Sequence, residues 1–348
     1  MTDLVLGGGA VGTLMAWALA AGGRDVALVR RRHKGPPSTV ELTALDRDGN
    51  RSTAQVTELS SPADLSAVPD VIVFAVKMFD LEAAAGSCSA WPAAPGLTVS
   101  NGVGAEEIVA AARPTASLIA GSVTASVERT DDGGVQRLNP GGVALAPVRG
   151  ELDVLLGELA SAFAAAGLPV ARFDDAAAMK WSKLVANLVA NASSAIVDLP
   201  PAAIYGDPDG FRVERRQLLE ALAVMRRLGL RPVALPGANV RLLATGIRLP
   251  AAIVQPILSR IVARARGGKD PSLRLNAQAA AAESEVRWLN GAVAAAAERL
   301  GGTAPVNRRL AELVERVLAD PEQREWFRGR LDRLAAAVEG EEPAATPA

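Results

Sequence analysis

The chain has 348 residues with 38 acids against 37 bases, a formal charge of −1, which gives no electrostatic reason to expect a nucleic acid or an anionic membrane as partner. One cysteine, Cys88, excludes an intramolecular disulfide framework, and one histidine, His33, leaves zinc sites and Ser-His or Cys-His catalysis without their usual residues, so no metal is expected. The length suits two domains, and no run of apolar residues reaches membrane-spanning length. The first residues lack the basic run and apolar core of a secretory leader, so a cytoplasmic protein is expected. An enzyme of this composition must work with lysines and carboxylates or with a bound cofactor.

Asp3-Leu4-Val5-Leu6 predicts a buried strand, Thr13 to Ala21 a helix ended by Gly22-Gly23, and Asp25 to Val29 a second strand. Between the first strand and the helix, Gly7-Gly8-Gly9-Ala10-Val11-Gly12 fits G-x-G-x-x-G in the context that a dinucleotide site requires. The glycines permit a tight turn and let a pyrophosphate approach the helix N-terminus, where free N–H groups and the dipole favour negative charge. Gly7, Gly9, Ala10, Val11 and Gly12 are the candidate contacts. The second strand ends in Arg30, Arg31 and Arg32, with Lys34 close behind, where an NAD site usually carries Asp or Glu. Cations there suit a 2′-phosphate, so NADP(H) is the expected cofactor, with Arg30 and Arg31 as candidate anchors.

Asp70 to Val76 predicts a further buried strand ending at Lys77, and Leu97 to Ser100 another ending in Asn101-Gly102-Val103-Gly104. Ligands of open α/β sheets gather at the carboxyl ends of strands, which points Lys77 and Asn101 at the cofactor. Leu118 to Glu128 and Gly142 to Ala146 read as strands joined by a turn at Asp131 to Gly134. Leu152 to Ala166 is helical, and Leu168 to Phe173 closes a first domain over residues 1–173. Helical pattern then dominates to Val338, with breaks at Pro200-Pro201, Pro232 to Gly237, Gly267-Gly268 and Gly301-Gly302. This gives an α/β Rossmann-type parallel-sheet domain, an all-helical domain over 174–338, and a disordered tail over 339–348.

Ala176 to Leu199 has the length and content of one buried helix, with Asp174 and Asp175 as N-cap candidates. Lys183, Asn187 and Asn191, four apart, share a stripe roughly 80° wide on it. Three polar groups among Leu184, Val185, Leu188 and Val189 need water, a polar neighbour or a ligand. Lys180 falls within the same stripe, and periodicity alone does not choose between the two lysines.

Together these blocks resemble the ketopantoate reductase (2-dehydropantoate 2-reductase) family over nearly the whole chain. They are the glycine fingerprint, the strand ending at Lys77, the turn at Asn101, and Trp181-Ser182-Lys183-Leu184 followed by Asn187 and Asn191. Asp270-Pro271-Ser272-Leu273, Ser284 to Gly291 and Ala304-Pro305-Val306-Asn307 complete the order. One departure is the alanine-rich stretch of residues 274–284, where the family usually carries an acidic and Gly-Arg-rich segment. The resemblance implies a second domain like the C-terminal domain of 6-phosphogluconate dehydrogenase. It makes Lys183 the proton donor to the substrate carbonyl oxygen, with Glu285 in support, and puts the substrate contacts on Asn187, Asn191 and Ser272. Lys180→Ala is then expected to do little. The implied reaction is NADPH-dependent reduction of a 2-oxo acid, ketopantoate to pantoate, with a homodimer as one possible assembly. Alternatives are a reductase of the same fold for another 2-oxo acid or an imine, and an NADP(H)-binding regulator without catalysis.

Overall fold

The computed structural model describes residues 2–265 and 270–340; the break expected at Gly267-Gly268 and residues 341–348 of the expected tail lie outside them. The chain divides into two compact units. One runs to Lys180 and takes in Leu235–Ala238; the other comprises Trp181–Ala234 and the chain from Asn239 onward.

The first unit is built on strands β1 (Thr2–Leu6), β2 (Asp25–Val29), β3 (Ser38–Leu45), β4 (Arg51–Leu59), β5 (Ile72–Phe74) and β6 (Gly96–Thr98). These are followed by β7 (Leu118–Val123), β8 (Val127–Arg129), β9 (Val135–Arg137), β10 (Val143–Arg149) and β11 (Val170–Arg172). All eleven join one sheet in the order β11-β10-β7-β6-β5-β1-β2-β4-β3-β9-β8. Its centre is parallel: Leu4 of β1 pairs with Ala27 of β2 on one side and Ile72 of β5 on the other. Such strands are covered on both faces, which is why they read as unbroken apolar runs. Helix α1 (Ala10–Ala21) presses Leu14, Met15, Trp17 and Leu19 into this core. Helices α2 (Leu81–Gly86) and α3 (Ala105–Ala112) follow β5 and β6, and α4 (Asp153–Ala165) adds Leu159 and Phe163 to the core.

Two features differ from the sequence reading. β3 and β4 form an antiparallel hairpin that the apolar-run criterion passes over, because its outer residues are polar and exposed. Its turn is fixed by Asp46, whose Oδ1 accepts from the amides of Asp48 and Asn50. The strand expected over Leu118 to Glu128 is broken after Val123. β7 pairs antiparallel with β10, whereas β8 turns back on β9, which extends the far edge of the sheet beside β3. Leu235–Ala238 packs with this unit: Thr124 Oγ1 donates to the Pro236 carbonyl at 2.5 Å, and Gly237 lies so close to Gly141 that a Cβ there would meet its Cα at 2.9 Å.

Apart from a two-stranded ribbon of Ala234–Leu235 and Ala238–Asn239, the rest of the chain is mainly helical, with α5 (Ala176–Leu188), α6 (Asn191–Val197), α7 (Pro201–Gly206), α8 (Pro208–Arg227), α9 (Val240–Gly246) and α10 (Ala251–Ala265). Then come α11 (Ser272–Gln278), α12 (Asn290–Arg299), α13 (Pro305–Ala319), α14 (Pro321–Phe327) and α15 (Leu331–Glu339). Helix α5 runs through the division between the units and starts on Asp175, whose Oδ1 accepts from the Ala178 amide at 2.8 Å.

The single helix expected from Ala176 to Leu199 is two. Ala190 takes a left-handed conformation, φ 51°, ψ 18°, which costs a non-glycine residue about 1–2 kcal/mol. The cost is offset from α8. Glu214, fully buried, accepts from the Ala190 amide at 2.7 Å and from Ser193 Oγ at 2.6 Å. Gln217, one turn on, donates to the Leu188 carbonyl at 3.3 Å, and so satisfies the end of α5. Gln217 also accepts from Asn290, which donates to Asn307 as well. Asn307 in turn donates to the Gln217 carbonyl and to Glu220.

Burial pushes the Glu214 carboxyl above its ordinary 4.5, against the hydrogen bonds that favour the charged form. A carboxyl raised in the folded chain holds its proton more tightly there than in the unfolded chain. Its contribution to stability is therefore present in full below 4.5 and is lost as pH rises through the folded value. Urea unfolding measured at increasing pH from about 4.5 should show this loss in the wild type and a flatter profile in Glu214→Gln. Identical profiles would mean that Glu214 does not titrate in that window.

Candidate active site

The glycine turn is built as a dinucleotide site needs. Gly7 sits at φ +113°, and a Cβ there would meet the Ala75 carbonyl oxygen at 2.5 Å. A Cβ on Gly12 would run into the Gly7 carbonyl, so only glycine lets α1 approach β1 this closely. Around Gly9 the space is open. Gly9 is the N-cap of α1 and supplies no side-chain cap, and the first turn of the helix carries no acid. The amides that open α1 thus face a space where an anion is favoured by hydrogen bonding and by the helix dipole.

Arg30 lies directly over this turn. A Cβ on Gly8 would strike its aliphatic stem, and its Nη2 donates to Thr13 Oγ1 and to the Gly133 carbonyl, both at 3.3 Å. The strand end that lacks an acid in sequence acquires one in space: Glu58, opposite Leu28 in the β2–β4 ladder, brings Oε1 to 2.5 Å from Arg30 Nη1. Burial pulls the Arg30 guanidinium below its ordinary value; Glu58 opposes that pull and the neighbouring Arg129 cation adds to it. Arg30 Nε is buried without a hydrogen-bond partner, a donor unspent beside the turn. Arg31 is placed differently: it is 82% exposed and its Nη2 donates to Asp80 at 2.6 Å. A phosphorylated nucleotide fits this set, with the glycine turn for its pyrophosphate and Arg30 for a further phosphate.

Lys77 is exposed just beyond β5, and Asn101 is half-buried in the turn after β6. Ser100 Oγ donates to the Val76 carbonyl at 2.8 Å and ties the two strand ends together.

The two lysines of α5 have distinct environments. Lys180 is buried, and its Nζ meets the Ser100 carbonyl at 3.0 Å, Glu106 Oε1 at 3.2 Å and the Gly121 carbonyl at 3.3 Å. Those three acceptors match the three protons of an ammonium. Lys183, one turn later, is half-buried, as is Asn187. Asn191 does not continue their stripe, because the break at Ala190 places it at the start of α6. There its Oδ1 accepts from the Leu273 amide at 3.1 Å, which fixes the first turn of α11 and with it Ser272, its first residue. Glu285 is buried, 3% exposed, and it is not on a helix: it precedes the 3₁₀ turn Val286–Trp288, with α12 beginning at Asn290. Lys183, Asn187, Asn191, Ser272 and Glu285 all belong to the second unit, and the cofactor candidates to the first. Among the described residues no group of three His, Cys, Asp or Glu is placed to hold a metal, and no helix is long and apolar enough to cross a membrane.

A parallel sheet opening on a glycine turn, cations beyond its second strand and a following helical unit define a Rossmann-type dinucleotide-dependent oxidoreductase architecture. Residues 4–150 match the family model of ketopantoate reductase PanE/ApbA, and residues 175–317 match that of its C-terminal domain. The chain belongs to the ketopantoate reductase family, whose members are NADP-dependent oxidoreductases. A 2-dehydropantoate 2-reductase of Halobacterium salinarum is 28% identical over 322 residues, 90% of this chain and 98% of its own. A PanE/ApbA family ketopantoate reductase from Ralstonia eutropha superposes with a TM-score of 0.73 at 25% identity, over 93% of this chain and 99% of its own. D-mandelate dehydrogenase, solved with NADH and anilino(oxo)acetate, shares the fold at a TM-score of 0.71 and 18% identity, over 92% of this chain and 99% of its own.

The burial of Lys180 among three acceptors gives its removal a cost in stability. Breaking one side of a buried ion pair typically costs about 3–5 kcal/mol, so Lys180→Met should lower unfolding stability by that order. A Lys180→Met protein as stable as wild type in urea would refute the structural role.

Proposed function

We propose that the chain is a cytoplasmic reductase that converts ketopantoate to pantoate with NADPH, residues 1–173 holding the cofactor and 174–338 the substrate and the proton donor. The observation that carries this reading is the pair of family matches spanning 4–150 and 175–317, with the glycine turn and Arg30 fitted to a phosphorylated nucleotide. NADPH, when bound, supplies the hydride for the C2 carbonyl.

The residues of the chain do the rest. The amides at the start of α1 bind the pyrophosphate, Arg30 binds the 2′-phosphate, and Lys77 and Asn101 position the nicotinamide end. Asn187, Asn191 and Ser272 hold the carboxylate and hydroxyl of the substrate. Lys183 gives its ammonium proton to the carbonyl oxygen as negative charge develops there, so that oxygen becomes the hydroxyl of the product and the resulting amine is reprotonated from solvent. A cation aimed at that oxygen stabilises the transition state more than the ground state. Glu285 orients Lys183 or the substrate hydroxyl. Lys183 takes the donor role from its place in the Trp181-Ser182-Lys183-Leu184 block of the family, and the three protons of Lys180 have protein acceptors.

A second reading has one observation in its favour. The D-mandelate dehydrogenase likeness indicates that this fold also serves a different 2-oxo acid and 2-hydroxy acid pair. NADPH oxidation followed with ketopantoate and a panel of other 2-oxo acids separates the two; a preference of kcat/KM for another acid would replace ketopantoate as the substrate.

Removal of a positioned proton donor costs roughly 10²–10⁴ in rate, so Lys183→Ala should lose about that much kcat while still binding NADPH. Near-normal turnover on the preferred acid would remove Lys183 from the mechanism. Arg30→Ala should raise KM for NADPH about ten- to a hundredfold and leave NADH use nearly unchanged. Equal losses with both cofactors would assign Arg30 to folding instead.

A further inference from the structure

The hairpin formed by β8 and β9 adds a cation to the glycine turn that the end of β2 does not supply. The β8 residue Arg129 reaches the turn itself, where its Nη1 donates to the Gly8 carbonyl at 3.1 Å. The tip of the same hairpin is held to Arg30, which donates to the carbonyl of Gly133. A Cβ built on Gly133 would lie 3.7 Å from Arg129 Nη2 and 3.9 Å from Arg30 Nη1, so the two guanidinium tips are no farther apart than the sum of those distances. A phosphate accepting at about 2.8 Å from each of two donors spans such a gap.

Charge balance argues the same way. Glu58 already pairs with Arg30, and Asp80 with Arg31. Among the described residues no carboxylate is within ion-pair distance of Arg129, although it stands close enough to Arg30 to oppose that residue's charge. Two guanidinium groups held together with one carboxylate between them are short of negative charge. A 2′-phosphate, close to a dianion at neutral pH, meets that shortfall better than Arg30 with its paired Glu58 does alone.

We propose that Arg129 is a second anchor of the adenosine 2′-phosphate, shared with Arg30, so that the β8–β9 hairpin contributes to the choice of NADP(H) over NAD(H); this rests on the NADP(H) reading above. The hairpin is far from β2 in sequence and at the far edge of the sheet in strand order, yet its tip returns to the turn at the end of β1.

Direct binding to the whole protein tests this without turnover, by calorimetry with adenosine 2′,5′-bisphosphate and with 5′-AMP, which differ only in the 2′-phosphate. Wild type should prefer the bisphosphate. Arg129→Ala should weaken the bisphosphate about tenfold or more and leave 5′-AMP nearly unchanged, and Arg129→Lys should recover part of the loss. A bisphosphate affinity within about twofold of wild type in Arg129→Ala would overturn the inference, as would equal weakening of both ligands, which would mark a distorted turn. With wild-type preference intact, those results would leave the NADP(H) reading standing. A wild type indifferent to the 2′-phosphate would remove both.

Discussion

Much of the second unit is arranged around a carboxylate that has no contact with water. Glu214 is wholly buried, and such a group is tolerated only where its oxygens are satisfied by donors. Here the donors are a backbone amide released by a broken helix and a serine three residues later. The acid and the break need each other. Without Glu214, an alanine in a left-handed conformation would leave a buried amide unmet; without the break, the acid would be an uncompensated charge in an apolar core. Gln217, Asn290, Asn307 and Glu220 extend the arrangement to α12 and α13, so two of the sequence blocks that mark the family meet in one buried polar network.

The arrangement bears on the chemistry through direction. Lys183 and Asn187 leave the last turns of α5, while Asn191 leaves the first turn of α6, where its Oδ1 accepts from the Leu273 amide. On one continuous helix these side chains would form a single stripe. With the break, Asn191 instead helps to set where α11, and Ser272 with it, begins. The first unit shows a comparable division of labour. Lys180 is held by carbonyls at the ends of β6 and β7 and by Glu106, and so ties the start of α5 to the sheet.

The parts of this organisation that could be read from the residues are local ones. β1, α1 and β2 follow from an apolar run, a glycine turn and a second run, and Asp175 as the start of α5 follows from cap chemistry. The hairpin of β3 and β4 carried a usable signal in the aspartate- and glycine-rich turn between Asp46 and Asn50 and in the alternation around it. The break at Ala190 carried none, because alanine is the best helix former and the cause is a side chain in another helix. The same limit applies to Glu58 and Arg129. Each is an ordinary charged strand residue until the sheet order brings it to Arg30 or Gly8. Glu285 was found through its motif, but its burial at the entry to a 3₁₀ turn depends on packing that periodicity does not report.

The tetrapeptide Leu235–Ala238 gives the molecule a property that neither unit has alone. It is encoded deep within the helical half of the chain yet is counted with the sheet, where the Pro236 carbonyl receives Thr124 and Gly237 abuts Gly141. The polypeptide therefore passes from one unit to the other three times. A fragment stopped at Lys180 would lack part of its own fold, and a single proteolytic nick after Lys180 would leave Leu235–Ala238 on the other piece. The gene cannot be divided into two independent modules at any one codon, which ties the inheritance of the nucleotide-binding half to that of the helical half.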